Sequence, residues 1–248
     1  MAINAVFLDL SGVLYEGDKI IAGAVDVVQT VRRRSLPVRF VTNTATKSRE
    51  QILNKLAELG IDVPPHELFT APDAALAYLQ QNDLTPYALV HDSIAPMFAD
   101  GDSEPDCVVL GDARARLNYA SLNRAFQLLM QGKPLIGIGD NRYFSDGEQL
   151  LLDAGPFIHA LGYAADTEPV IMGKPNKAFF REVLATVDVP AAECLMVGDD
   201  IYGDIEGALN AGLQALLVRT GKYQPGDESR LSFPVHAVDS IVDVVSVL

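Results

Sequence analysis

The chain has few cysteines, a shortage of basic residues and no long apolar run, and each absence removes a class of protein. Its two cysteines, Cys107 and Cys194, stand far apart in the apolar stretches DCVVL and ECLMV. That placement suits buried reduced thiols and excludes a disulfide framework or a cysteine-rich metal knuckle. Lysine and arginine number 19 against 33 aspartates and glutamates, giving a formal net charge of −14. Such a surface repels polynucleotides and anionic membranes, so a phosphorylated ligand must be drawn by local positive charge or a metal. No segment approaches the roughly 20 apolar residues that span a bilayer. The opening MAINAVFLDL has neither the basic n-region nor the apolar stretch of a secretory signal. The expectation is a cytoplasmic protein with no nucleic-acid or membrane partner. Repeats and low-complexity tracts are lacking too, and Val63–Pro65, Asp100–Asp106 and Gln224–Glu228 read as ordinary loops.

What is present is a hydrophobic content of 49% over 248 residues, enough for one large domain or two modest ones. Ala5–Leu8 is a short apolar run closed by Asp9 and Gly12, the pattern of a buried strand that stops at a functional loop. A helix over Ala24–Arg34 and a strand over Val38–Thr42 follow. Then Ile52, Leu53, Leu56 and Leu59 recur at helical spacing between a Ser48 N-cap and Gly60. This alternation predicts a parallel sheet with helices on both faces and a ligand crevice at the strands' C-terminal ends.

After a helix near Asp73–Gln81 the rhythm restarts. Strands are expected at Tyr87–Val90, Val108–Leu110 and Leu135–Ile138, with a helix over Ser121–Gln131 and Tyr119, Phe126 and Leu129 as a helix core face. The last third resumes the first pattern: a helix from Asn176 with Phe180, Val183, Leu184 and Val187 on one face, strand Leu195–Val197, a helix from Ile205 and strand Ala215–Val218. The fold class is therefore α/β, a doubly wound parallel-sheet core of residues 1–78 and 173–248 with an α/β insert at 79–172.

Four places combine chemistry with a strand end or helix start. Asp9 precedes Leu10-Ser11-Gly12, where glycine lets the backbone turn beside the carboxylate, although the same composition makes a plain turn. Leu195–Val197 runs into Gly198-Asp199-Asp200, with Asp204 close behind. Carboxylates so gathered repel unless a cation sits among them, and oxygen ligands of this kind suit magnesium; helix capping by Asp200 or Asp204 is the structural alternative. Thr42 and Asn43 end a strand, where a hydroxyl and backbone N–H groups hold phosphate oxygens. Lys174, in Gly-Lys-Pro before a helix, is a compact positive charge able to point back at the sheet.

Taken in this order, the four places resemble the motifs of the haloacid dehalogenase (HAD) superfamily, Rossmann-like hydrolases, and the match spans the whole chain. The insert is similar to that superfamily's large α/β cap class. The strings DLSGVLY, RFVTNTATKS, GKPNKAFF, VGDDIYGD and RTGKY are similar to one phosphatase subfamily within it. The resemblance implies a phosphatase in which Asp9 is the nucleophile and forms an aspartyl phosphate. It implies Mg²⁺ held by the Asp9 carboxylate, the Ser11 carbonyl and Asp199, with Asp204 and Asp200 acting through water. Thr42, Asn43 and Lys174 would bind the phosphate. Large-capped relatives often pair through the cap, which implies a homodimer.

The sequence departs from the superfamily at Ser11, where most members carry an acid/base aspartate; the subfamily shares the serine. Such acid–base help is worth roughly 10²–10⁴ in rate, or about 3–5 kcal/mol of barrier. Substrates with good leaving groups, such as pyrophosphate, aryl phosphates or N-phosphorylated groups, would lose least. The alternative is a phosphate-binding regulatory protein with weak or no hydrolysis. The insert must select the substrate, and Asp140, Asn141, Arg142 and Tyr143, after a strand, are its candidates. His159 reads as a core residue of an apolar helix, and His91 as structural.

Overall fold

In the computed structural model, which describes residues 2–99, 104–145 and 148–248, short apolar runs become strands and amphipathic stretches become helices. The first unit comprises β1 (Ala5–Leu8), a small hairpin of β2 (Tyr15–Glu16) and β3 (Lys19–Ile20), α1 (Ala24–Arg33), β4 (Val38–Thr42), α2 (Arg49–Glu58), β5 (Leu68–Thr70) and α3 (Ala71–Gln81). Ser48 begins α2 as expected: its side chain accepts from Gln51 N–H while the Gln51 side chain accepts from Ser48 N–H, a capping box. Helix α1 buries Ala24, Val27, Val28 and Val31 against the sheet, each fully buried valine stabilising by roughly 1.5–3 kcal/mol.

The middle of the chain forms β6 (Pro86–Leu89), β7 (Cys107–Leu110), α4 (Tyr119–Leu129), β8 (Leu135–Ile138), the hairpin β9 (Tyr143–Ser145) and β10 (Leu150–Leu152), α5 (Gly155–Ala165) and β11 (Val170–Met172). The last third gives α6 (Lys177–Leu184), β12 (Cys194–Gly198), a π-helical turn Ile201–Glu206 continued by α7 (Gly207–Asn210), β13 (Gln214–Val218) and β14 (His236–Val238).

The main sheet has strand order β14-β13-β12-β1-β4-β5 and is parallel throughout. The chain winds outward from β1 through β4 and β5, then returns to β12 and winds the other way. The switch therefore lies at β1 and β12, where the crevice of a doubly wound sheet opens beyond the C-terminal ends. A second parallel sheet, β11-β8-β7-β6, belongs to the insert. Each sheet has separate apolar clusters on its two faces. Helix α3 is shared: Ala71, Ala75 and Leu79 pack beneath the insert's sheet, while Ala74 joins the core. The division placed after residue 78 falls inside this helix.

Several expectations are corrected. Tyr119 is not on the core face of α4; it is 85% exposed, because the helix turns Ala125 and Leu129 inward. His159 is exposed on α5, paired with Asp140 at 2.8 Å. The final helix begins at Ile201 rather than Ile205, because Asp200 caps it by accepting from Tyr202 N–H at 2.9 Å. On α6, Phe179 joins Phe180 and Val183 in the core, whereas Val187 lies beyond the helix. Both cysteines are free and buried. The loop expected at Asp100–Asp106 falls partly outside the described residues. No described helix is long and apolar enough to cross a membrane.

Candidate active site

Strand β1 ends at Leu8 and β12 at Gly198, so their parallel pairing carries the next residues, Asp9 and Asp199, to the same edge of the sheet. Two glycines make the approach possible. Gly12 has φ +86°, and a Cβ there would land on the Asp199 carboxylate; a Cβ on Gly198 would land on Asp204. The wide turn after Asp200 brings Asp204 back over the end of β12, with both Asp204 N–H and Ile205 N–H donating to Asp200 O.

Asp9, Asp199 and Asp204 are all buried, and one oxygen of each lies within 4.8 Å of the others. Lys174, 4% exposed, reaches in from the far end of the chain and donates to Asp9 Oδ1 at 2.5 Å; its Nζ lies 2.6 Å from Asp204 Oδ1. Burial alone pushes this ammonium down, but the carboxylates of Asp204 and Asp9 win and hold it above the usual lysine range. Asp204 is itself raised to about 6, by burial first, with Lys174 opposing. Burial also raises Asp199 well above the carboxylate range. Asp200 goes the other way. Its burial is outweighed by Lys222, whose Nζ lies at 2.8 Å, so its carboxyl stays below the usual value.

The Asp199 Oδ2 atom accepts from Lys222 N–H at 2.8 Å, yet Oδ1 is buried with no hydrogen-bond partner among the described residues. A buried anionic oxygen without a partner is costly unless a ligand completes it. Four carboxylates, those of Asp9, Asp199, Asp200 and Asp204, face two ammonium groups, those of Lys174 and Lys222. With all four carboxylates ionised, the two surplus negative charges and the orphaned oxygen fit one divalent cation with oxygen ligands.

Thr42 is buried at the end of β4, its Oγ1 donating to Thr44 Oγ1 and accepting from Thr44 N–H. The Asn43 side chain grips the Lys174 backbone at both ends, accepting from its N–H at 2.8 Å and donating to its carbonyl at 2.7 Å. Its amide also donates to Asn141 Oδ1 at 3.0 Å, and Asn141 donates in turn to Asp153 Oδ2. Core and insert are thus joined by a chain of amide hydrogen bonds beside the acidic centre.

These residues line an open cleft of ≈ 240 Å³ between the two sheets. Asp9, Ser11, Thr42, Asn43, Lys174, Asp199, Asp200 and Asp204 all border it. Of the four insert residues proposed from sequence, Asn141 does so; Asp140, Arg142 and Tyr143 lie outside the lining. Asp140 is turned to His159, and the Arg142 guanidinium sits 4.4 Å from the Tyr202 ring centroid. The insert instead presents Asp112, Arg114, Phe144 and Asp153. His91 is outside the cleft, its Nδ1 accepting from Ser93 N–H. Lys222 is the residue that sequence reasoning missed, although it sits in the string RTGKY. Its loop closes over the Asp9 loop, with Thr220 Oγ1 donating to Gly12 O and Gly221 N–H donating to Glu16.

Family models match both parts of the core: Haloacid dehalogenase-like hydrolase over residues 6–104 and HAD-hydrolase-like over residues 171–246. The chain is 40% identical to human phospholysine phosphohistidine inorganic pyrophosphate phosphatase, covering 99% of this chain and 94% of that protein. It is 41% identical to rat haloacid dehalogenase-like hydrolase domain-containing protein 2, covering 97% and 96%. Among solved structures, 4-nitrophenylphosphatase from Thermotoga maritima superposes with a TM-score of 0.88 at 26% identity, covering 98% of this chain and 97% of that one. With near-complete coverage at this identity, and with its acidic centre at the switch point of the sheet, the chain belongs to the haloacid dehalogenase-like hydrolase family, as a homologue of its phosphatases.

Proposed function

We propose that this protein is a magnesium-dependent phosphohydrolase that works through an aspartyl phosphate on Asp9. The observation that carries the reading is the buried trio Asp9, Asp199 and Asp204, set against Lys174, with one Asp199 oxygen left for a cation. Asp9, the Ser11 carbonyl and Asp199 would hold Mg²⁺ directly, and Asp204 and Asp200 through water. When bound, the ion neutralises charge on the phosphoryl oxygens and holds them against the carboxylate.

In the first step an Asp9 oxygen bonds to phosphorus as the bond to the leaving oxygen breaks, and the leaving group takes that electron pair. Thr42, the Asn43 N–H and the Lys174 ammonium hold the transferring group and stabilise the charge on its oxygens. In the second step water bonds to phosphorus and the bond to Asp9 breaks. This restores the carboxylate, releases orthophosphate and gives a proton to solvent. Ser11 is exposed at the cleft edge and is a poor proton donor, so the leaving group must depart with little help. Pyrophosphate, aryl phosphates and N-phosphorylated groups are the substrates that tolerate this.

Ser11 also favours a second reading, a phosphate-binding regulatory protein with little turnover. Hydrolysis of 4-nitrophenyl phosphate and pyrophosphate by wild type and Asp9→Asn, with magnesium or chelator, separates the two. The enzyme reading expects turnover that chelation and Asp9→Asn both reduce to the blank rate. Phosphate binding without turnover on either substrate would establish the regulatory reading instead.

A further inference from the structure

Cations gather at the mouth of the cleft that the phosphoryl site does not use. On the floor, Lys174 and Lys222 are each matched by carboxylates. At the rim, Lys55 is also satisfied: it donates to Gly17 O and Asp18 and lies 4.4 Å from the Tyr15 ring centroid. Lys47 is different. It borders the same cleft, and among the described residues no carboxylate lies within ion-pair distance of it. Partial burial, and then the neighbouring Lys55 ammonium, hold its amine below the usual lysine range, with Asp18 opposing from beyond ion-pair distance. A positive charge crowded by a second one, in a protein of net charge −14, is a place where an anion relieves repulsion.

The insert's share of the cleft lining carries a further cation, Arg114. This residue has φ +50°, a region that side chains with a Cβ rarely adopt. It is held there by buried Asp112, whose Oδ1 accepts from Arg114 N–H and whose Oδ2 lies 3.2 Å from the guanidinium Nε. The guanidinium lies 4.7 Å from the Phe144 ring centroid. Asp112, Arg114 and Phe144 all border the cleft, and among the described residues Arg114 forms no ion pair besides that to Asp112. Strained backbone persists only where its surroundings over-determine it, and here they fix an arginine, the side chain best suited to planar anions.

We infer that Lys47 of the core and Arg114 of the insert form a two-sided clamp for a second anionic group on the substrate's leaving group, a phosphate or a carboxylate. The inference rests on the phosphohydrolase reading and narrows it to substrates with two anionic groups, one held at Asp9 and one at the mouth. A substrate with a single phosphoryl group leaves Lys47 without an anion and Arg114 with Asp112 alone. The clamp spans the two halves of the molecule, so the leaving group contacts insert and core at once.

The test is competitive inhibition of 4-nitrophenyl phosphate hydrolysis, in excess magnesium, by methylphosphonate, phosphonoacetate and methylenediphosphonate. Wild type, Lys47→Met, Arg114→Gln and Lys177→Met are compared, the last removing an exposed α6 charge that does not border the cleft. At least one two-anion compound should bind wild type roughly ten-fold tighter than methylphosphonate, the scale of one hydrogen bond to a charged group. Lys47→Met and Arg114→Gln should each erode that ratio while Lys177→Met preserves it, and the preferred compound identifies the anion as carboxylate or phosphate. A wild-type ratio near one, or equal weakening of all three compounds in the clamp variants, overturns the clamp. Wild type that hydrolyses neither 4-nitrophenyl phosphate nor pyrophosphate defeats the phosphohydrolase reading separately; where 4-nitrophenyl phosphate is not turned over, the same ratios are read from the thermal shift each compound produces.

Discussion

Replacing Lys174 with methionine removes one charge from the centre of the site while nearly conserving volume, so its cost is electrostatic. The ammonium lies 2.5 Å from Asp9 and 2.6 Å from Asp204, and all three side chains are buried. Breaking one buried pair costs about 3–5 kcal/mol, because the remaining charge is left uncompensated. Here two carboxylates lose their partner, so the upper half of that range is expected, about 4–5 kcal/mol. For a chain of this size each kcal/mol moves the thermal midpoint by roughly 2–4 °C, which gives a fall of roughly 8–20 °C in chelator at pH 7.5. Magnesium supplies positive charge to the same carboxylates, so its stabilisation should be larger in Lys174→Met than in wild type. Thermal scans over a magnesium titration measure both effects, with phosphate hydrolysis lost in parallel. A fall under about 2 °C in chelator, or an equal magnesium gain in the two proteins, would show that Lys174 does not hold the acidic centre together.

Gly12→Ala should weaken magnesium binding more than it weakens the fold, because the new methyl group strikes the Asp199 carboxylate; Gly17→Ala, with open space around it, carries only the positive-φ cost of about 1 kcal/mol. Isothermal titration with magnesium on both variants checks this, and equal affinities would refute it. Ser11→Asp should raise kcat/KM for alkyl phosphates by roughly 10²-fold or more while changing aryl phosphates far less; no gain on alkyl phosphates would remove the leaving-group argument.

Much of the architecture was legible because local rules act over a few residues. The Ser48 cap, the 3.6-residue spacing of Ile52 and Leu56, and the apolar runs at β1, β4 and β12 need no tertiary information. The same rules misplaced Tyr119 and His159. Periodicity finds an apolar stripe but does not say where the stripe ends, and a single aromatic residue at a helix start is free to face water. The π-helical turn after Asp200 was not legible either, since only its packing over the end of β12 widens it.

The site divides in the same way. Asp9, Thr42, Lys174 and Asp199 stand at strand ends and helix starts, and strand ends of a parallel sheet share one edge, so their convergence followed from the alternation of elements alone. Tertiary structure decided which partner each one meets. Lys174 pairs with Asp9 and Asp204, the Asn43 amide grips the Lys174 backbone rather than only ending a strand, and Lys222 matches Asp200. It alone brought Lys47 and Arg114 to the lining of one cleft. Lone charged residues in loops carry no periodic signal, and their neighbours are fixed by how the insert's sheet seats on the core, a long-range packing that no local pattern encodes.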